Sequence, residues 1–263
     1  LFVGGFGWGV AGAAIATGIS QCVGGLLPLF YFLRPNDSLL RLVRTKPELA
    51  PLVKACTNGS SELMSSISSS VVSMVYNHQL LEYIGEDGVS AYGVLMYVQF
   101  IFVAIYIGYS VGCAPVIGYH YGAGNRDELK NLLRKSALLI GSAGVLLTLL
   151  ARLLASPLAS IFVGYDETLH ALTEHAFRLF SFSFLLSGFN IFTSAFFTAL
   201  NNGFVSAAIS FLRTLLFQTC CVLVLPVLFD IDGIWWAITA AEVFAFAISL
   251  TFLLTKRKKY GYM

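Results

Sequence analysis

The stretch that decides the fold is residues 88–113, GVSAYGVLMYVQFIFVAIYIGYSVGC, which contains no Asp, Glu, Lys, Arg or His. A helix needs about 20 consecutive apolar residues to cross the hydrocarbon core of a bilayer, and this run is longer than that. A transmembrane β-strand would instead be about half as long and would alternate polar and apolar residues. Residues 88–113 therefore predict a transmembrane helix.

The rest of the chain repeats this pattern. Of the 263 residues, 57% are hydrophobic and only 11% are charged, whereas a soluble domain carries about 25% charged residues. So few charges cannot cover a surface that faces water on all sides, so the composition predicts an all-α integral membrane protein, a polytopic bundle of about seven transmembrane helices. The six other apolar runs are 9–33, 55–81, 132–154, 170–197, 204–228 and 232–255.

The charges between these runs predict the orientation of the bundle. Lys and Arg concentrate in the connections 34–54 and 114–135 and in the tail 256–263, and the alternate connections carry Asp and Glu. Cytoplasmic loops retain positive charge. We therefore expect a multi-pass protein of the cell membrane (plasma or inner) with a cytoplasmic C-terminus. The 34–54 connection is either a linker whose residues 38–46 lie on the membrane surface or an ordinary cytoplasmic loop.

Three motifs resemble one family of transporters. Residues 7–21 read GWGVAGAAIATGISQ, residues 112–125 read GCAPVIGYHYGAGN, and residues 233–242 read GIWWAITAAE. They are similar to the sixth helix, to the segment after the eighth helix and to the twelfth helix of MATE (multidrug and toxic compound extrusion) transporters. The Gly-Ala-Gly-Asn block at 122–125 is the most specific part of this resemblance.

The resemblance implies that the chain is half of a two-lobe MATE-type transporter and supplies helices six to twelve of twelve. Residues 1–33 would then be the last helix of the N-terminal lobe, and 34–54 would be the cytoplasmic inter-lobe linker. Residues 55–255 would form the C-terminal six-helix lobe, followed by the basic cytoplasmic tail 256–263. The missing N-terminal lobe of the same protein would be a required partner.

The second motif also has a local structural interpretation. Pro115 and the glycines around it are expected to break the helix near the cytoplasmic surface, because proline removes a backbone donor and glycine adopts turn conformations. Asn125 is expected to cap the helix that follows, since its side chain can accept a hydrogen bond from a free N–H of the first turn.

Glu62 is the clearest candidate for a transport residue. A charge deep in a bilayer is costly, about 2.5–3.5 kcal/mol on the mildest scale, so it needs a structural or functional reason. Polar residues lie at helical spacing before and after it on the same predicted span, namely Asn58, Ser66, Ser69 and Ser73. The stripe is typical of a helix that lines a wet cavity, with Glu62 binding a proton or cation; the alternative is a buried Glu bonded to serines for packing. In the resembling family, an acid on the seventh helix contributes to coupling.

Other polar residues within the spans are weaker candidates. Gln99 is a cavity candidate on the third span, and Glu242 either takes part in transport or forms a structural hydrogen bond to another helix. Many family members carry an acid on the tenth helix; this sequence has none there, and Asn190 is the nearest polar substitute. Glu174 and Arg178 have the spacing of an ion pair within one helix, which is either structural or part of a gate.

The function predicted from these features is secondary-active multidrug efflux. Small-molecule drugs, organic cations or amphipathic compounds would leave the cell by alternating access in exchange for H⁺ or Na⁺, with no cofactor beyond the coupling ion. A lipid-linked oligosaccharide flippase of the same superfamily would need a basic cavity, and an inactive half-transporter is a further alternative. No nucleophile elbow, metal-binding pair or phosphate-binding loop indicates an enzyme, and nothing indicates a metal site or nucleic-acid binding.

Overall fold

The computed structural model describes residues 2–3, 5–34 and 48–262, with the side chain of Ser61 excepted. Contacts within the chain divide it into two compact units, Leu1–Leu49 and Ala50–Met263. The predicted surface segment 38–46 lies outside the described residues. The last residues of the predicted linker 34–54 are helical, since α2 begins at Leu49. Pro51 is compatible with the first turn of this helix, because backbone N–H groups there have no intrahelical acceptor and the missing N–H of proline costs no hydrogen bond.

The described residues are almost entirely helical. Among the described residues, unit 1 contains one helix and unit 2 contains eight, and two short segments with different hydrogen bonding each join a pair of consecutive helices in unit 2. The helices are α1 (Gly9–Leu33), α2 (Leu49–Tyr83), α3 (Glu86–Gly122), α4 (Arg126–Leu153), α5 (Ala155–Val163), α6 (Glu167–Phe180), α7 (Phe184–Ala199), α8 (Gly203–Phe211) and α9 (Gln218–Tyr260).

Two of the joints between helices decide where the side chains of unit 2 point. A 3₁₀ turn over Ser181–Ser183 joins α6 to α7, so these helices form one continuous rod. A π-helical segment over Leu212–Phe217 joins α8 to α9. The long final helix is itself bent, because Phe229 and Asp230 have non-helical backbone angles. This bend falls between the predicted spans 204–228 and 232–255.

Five helical stretches of the described chain are long and apolar enough to cross a membrane: α1, α3, α4, α6 with α7, and Gly203–Tyr260. The last of these is bent in its middle and therefore contains two of the predicted spans. The remaining predicted span, 55–81, lies on α2, which is 35 residues long. Its serines make it too polar to be counted among these five apolar stretches. The all-helical membrane architecture is confirmed.

The second motif is partly as predicted. Asn125 caps α4, since the Glu128 backbone N–H donates to its side-chain oxygen at 3.1 Å. The expected break at Pro115 is wrong: Pro115 lies inside α3, which continues to Gly122. The helix ends instead at the glycines, and Gly124 adopts a positive φ of 69° that favours glycine.

The core of unit 2 surrounds α7. Phe184, Phe196 and Phe197 are fully buried there, so these aromatic side chains contact neighbouring helices. Gly188 allows a close approach of α3, because a Cβ at this position would lie 2.5 Å from the ring of Tyr106. The Tyr106 hydroxyl donates to the Phe184 carbonyl oxygen at 2.8 Å. Helices that pack this closely hold the walls of the adjacent cavity in place.

Candidate functional site: a polar cavity in unit 2

A cavity of about 340 Å³ lies within unit 2 between α2, α3, α7 and the segment joining α8 to α9. Its apolar lining includes Val72, Met96, Ile107 and Ile238. Hydroxyl and amide groups dominate the polar lining, and two charged side chains complete it. The polar lining residues are Glu62, Ser65, Ser69, Ser73, Tyr92, Gln99, Ser110, Ser194, Ser210, Arg213, Thr214 and Gln218.

The cavity wall on α2 is the stripe that contains Glu62. Glu62, Ser69 and Ser73 all line the cavity, as does Ser65. The Glu62 side chain is exposed, and within the described residues it forms no ion pair. Its carboxylate is therefore available to a cation that enters the cavity.

Two predicted members of the α2 stripe do not line the cavity. Ser66 is exposed but is not among the residues that line the cavity. Asn58 lies nearer the start of α2, and its amide donates to the Thr198 carbonyl oxygen at 3.3 Å. This contact joins α2 to the end of α7.

On α3, the predicted cavity residue Gln99 does line the cavity, together with Tyr92. Tyr92 stacks on the buried ring of Tyr76, with 5.0 Å between ring centroids. Ser110 completes this wall: its hydroxyl is buried and has no hydrogen-bond partner among the described residues. A buried, unpaired hydroxyl is costly, so a ligand or water in the cavity would satisfy it.

The second charged lining residue, Arg213, is paired with Glu242. The Arg213 Nη2 donates to Glu242 Oε1 at 2.7 Å, and Nε lies 3.0 Å and 3.1 Å from the two carboxylate oxygens. The side chains are only 15% and 2% exposed. This two-point geometry is the strong form of an Arg–carboxylate contact. The two charges cancel, and the cavity meets an ion pair at this wall.

Asn190 and Glu242 are buried and do not line the cavity, and Glu242 bonds to another helix, as one of the two alternatives predicted for it requires. The Asn190 amide donates to Glu242 Oε2 at 2.7 Å and to the Glu242 carbonyl oxygen at 3.1 Å. Ser249 in turn donates to the Asn190 side-chain oxygen at 2.9 Å. This chain of contacts fixes the carboxylate, and the carboxylate fixes Arg213.

The partnership of Arg213 with Glu242 was missed by the sequence analysis. Glu242 has no basic neighbour at helical spacing on its own span, and its nearest polar neighbour there is Thr239. The available signal was that opposite charges occur within the last two predicted spans. Intramembrane charges usually pair with one another.

The π-helical segment helps to place Arg213 at the cavity. Thr214 lies next to Arg213, and its hydroxyl donates to the Ser210 carbonyl oxygen at 2.6 Å. A hydroxyl that takes up a carbonyl four residues earlier competes with the backbone hydrogen bond of the helix. Such π-helical turns occur often at functional sites.

The predicted pair Glu174 and Arg178 is present on α6, but neither residue lines the cavity. The Arg178 Nη2 lies 2.6 Å from Glu174 Oε1. The Arg178 side chain is 56% exposed, and exposed pairs contribute little to stability. A role for this pair in gating stays a prediction.

Comparison with known proteins identifies relatives of this chain. The sequence model of the MatE family matches residues 63–222. Multidrug export protein MepA of Staphylococcus saprophyticus is 26% identical over 96% of this chain, and the match covers 56% of that protein. The chain thus spans about half the length of the curated relatives it matches.

Solved structures show the same fold. One is an outward-facing multidrug resistance MATE transporter of the MOP superfamily, with a TM-score of 0.90 and 20% identity over all of this chain and 59% of that one. Another is a MOP superfamily transporter of Pyrococcus furiosus, described as having a binding pocket of reverse polarity. It has a TM-score of 0.86 and 21% identity over 99% of this chain and 58% of its own.

Proposed function

The chain belongs to the MatE family of transport proteins, and we propose that it acts as the C-terminal lobe of a secondary-active exporter. The exporter moves organic cations or other amphipathic compounds outward across the cell membrane in exchange for H⁺ or Na⁺. An N-terminal lobe of the same protein closes the other side of the transport path. In this proposal the C-terminus of the chain is cytoplasmic, because the basic turn between α3 and α4 lies beside the tail.

One observation carries this proposal, and it is the balance of charge at the cavity. Two charged residues line the cavity, and Arg213 is neutralised by Glu242 at 2.7 Å. Glu62 is left as the charge without a counter-ion among the described residues. A cavity with one free carboxylate, several hydroxyls and an apolar wall attracts a lipophilic cation and disfavours an anion.

Coupling follows from competition at the same carboxylate. A proton or Na⁺ at Glu62 removes the negative charge that holds the organic cation, so the two ligands exclude each other. Ser65 and Ser69 lie next along the stripe and supply oxygen atoms that suit a hard cation such as Na⁺. Exchange of one ligand for the other, on opposite sides of the membrane, gives antiport.

Glu242 and Asn190 act in this scheme as positioning residues. They hold Arg213 against the wall and keep its charge from the cavity. The same pairing counts against a flippase for lipid-linked oligosaccharides, because such a substrate is anionic and requires an uncompensated basic cavity. Arg178 does not supply an uncompensated positive charge to the cavity either, since it is bonded to Glu174 and lies outside the lining.

Transport of ethidium in everted membrane vesicles tests the role of Glu62. The vesicles would contain the chain together with its N-terminal lobe, and transport would be driven either by a proton gradient or by a Na⁺ gradient. We expect Glu62→Gln to reduce transport to background under both gradients at matched protein levels. Glu82→Gln is the matched control, because Glu82 is an exposed carboxylate at the end of the same helix that does not line the cavity; it should transport normally.

Two outcomes would contradict the proposal in different ways. Normal transport by Glu62→Gln would return the α2 stripe to a packing role. Absence of ethidium or other drug transport by the wild-type protein, with an intact gradient, would favour the flippase alternative. The gradient that drives transport identifies the coupling ion.

A further inference from the structure

A second cleft lies in unit 2 where the C-terminal tail meets the turn between α3 and α4. It has a volume of about 200 Å³. It shares no lining residue with the polar cavity described above. Its lining residues are His120, Tyr121, Gly124, Asn125, Arg126, Leu129, Lys259 and Tyr260.

The tail is packed firmly at this place. Tyr262 is fully buried, and its hydroxyl donates to the Leu253 carbonyl oxygen at 3.0 Å. Gly261 adopts a positive φ of 70°, and a Cβ there would lie 2.6 Å from the Arg126 side chain. The stem of Arg126 therefore rests on the tail, and the cleft is a built feature of the fold.

Three polar side chains of the cleft, Arg126, Lys259 and His120, can donate hydrogen bonds to an anion. Arg126 and Lys259 form no ion pair with a carboxylate in the described part of the chain. His120 Nδ1 is buried and has no hydrogen-bond partner there. The acidic side chains of the neighbouring first turn, Asp127 and Glu128, do not line the cleft. Lys259 lies over the Tyr260 ring at 5.2 Å and keeps its hydrogen-bond donors for another group. Two cations without a carboxylate partner and an unsatisfied ring nitrogen are groups that can bind a phosphate.

We infer that this cleft binds the phosphate of an anionic phospholipid headgroup. The position of the cleft favours a lipid over a soluble phosphate, since Lys259 lies only four residues after the end of the last predicted span, 232–255. Tyr121 and Tyr260 lie beside each other with 5.7 Å between ring centroids, and such rings favour the headgroup region of a bilayer. Leu129 gives the cleft an apolar floor. Basic clefts between transmembrane helices at the positive side suit anionic headgroups.

The bound headgroup would stabilise the docked tail, because it bridges Arg126 on α4 and Lys259 on α9. Binding is electrostatic in part, so it should weaken as the salt concentration rises. This inference does not depend on the transport proposal, because the two sites share no lining residue.

Binding of short-chain lipids to the purified chain in a neutral detergent tests the inference. Dioctanoyl phosphatidylglycerol, dioctanoyl phosphatidylcholine and inorganic phosphate would be titrated separately by microscale thermophoresis. We expect phosphatidylglycerol to bind best and the double variant Arg126→Gln/Lys259→Gln to lose about tenfold or more in its affinity. The matched control is Lys130→Gln/Lys258→Gln, which removes two exposed cations from the same end of the bundle but outside the cleft; it should keep most of the affinity.

Several results would overturn the inference. Equal losses in the two double variants would mean that general positive charge attracts the lipid. Equal affinity for phosphatidylcholine and phosphatidylglycerol would also exclude an anion site. Tight binding of inorganic phosphate that is lost in the cleft variant would assign the site to a soluble phosphate. Because Arg126 packs on the tail, the single variant Lys259→Gln provides a second test that leaves this packing intact, and unchanged affinity in this variant would contradict the bridging role of Lys259.

Discussion

At Arg213 and Glu242, two opposite charges lie among helices that contain few other charges. Glu242 is 2% exposed, and the Asn190 amide holds one of its oxygens at 2.7 Å. Burial of such a pair is not strongly stabilising in itself, because both ions lose their hydration. Removal of one partner is much worse, since the other charge remains buried without a counter-ion.

Glu242→Gln should therefore destabilise the chain by about 3–5 kcal/mol. The double variant Arg213→Met/Glu242→Gln should recover most of this loss, because it removes the unpaired guanidinium and keeps an oxygen for Asn190. Reversible unfolding in mixed detergent micelles measures both values. Glu174→Gln is the control, because its partner Arg178 is 56% exposed and such pairs contribute at most about 1 kcal/mol. Wild-type stability in Glu242→Gln would show that Arg213 needs no counter-ion.

Among the helices, α6 shows how a single side chain sets where an element begins. Asp166 precedes this helix, and its carboxylate accepts the Thr168 hydroxyl at 2.6 Å and the backbone N–H groups of Thr168 and Leu169 at 2.9 Å and 3.1 Å. These bonds favour the ionised carboxylate. The Thr168 hydroxyl first, and then the Leu169 N–H, lower the pKa of Asp166 below its ordinary value.

The start of α6 should therefore lose protection in acid. Because the folded state lowers the pKa of Asp166, its contribution to stability is complete above the unfolded pKa, about 3.9, and is lost as the pH falls through the lower folded pKa. Hydrogen exchange of the peptide 164–171, corrected for intrinsic rates, measures this change. Asp166→Asn should keep the cap and remove the pH dependence, whereas Asp166→Ala should exchange faster at every pH. An unchanged acid response in Asp166→Asn would assign it to another group.

For the whole molecule, the sequence was sufficient to predict the helical architecture, because length and polarity alone decide which segments can cross a bilayer. The α2 wall was predictable for the same reason: Glu62, Ser69 and Ser73 recur at the period of a helix. Pairings between helices that are distant in the sequence could not be predicted in this way. Arg213 meets Glu242 because α8 and α9 pack together and the π segment between them changes the helical register, and neither fact is local. Asn190 was predicted only as the nearest polar substitute for an acid, because one span alone cannot show that it faces Glu242.

The arrangement of the ends of the bundle gives the last prediction. Arg126, after α3, lies beside Gly261 near the C-terminus, and His175 on α6 lies 2.8 Å from Asp232 at the bend of α9. The turn after α3 and the tail must therefore share one side of the membrane. By the positive-inside rule we expect that side to be cytoplasmic and the connections at Asp87 and Tyr165 to face outward.

Labelling of single cysteines with a membrane-impermeant maleimide tests this sidedness. All four positions are exposed, so a lack of reaction reports the membrane barrier and not burial. In intact cells, Cys at Asp87 and at Tyr165 should react, and Cys at Asp127 and at Lys258 should react only after permeabilisation. Reversal of all four would show that the orientation is wrong but the fold is correct. Disagreement between Asp127 and Lys258 would contradict the fold itself, because the contact between Arg126 and Gly261 requires both on one side. The background protein would have its native thiols replaced by serine, at Cys22, Cys56, Cys113, Cys220 and Cys221.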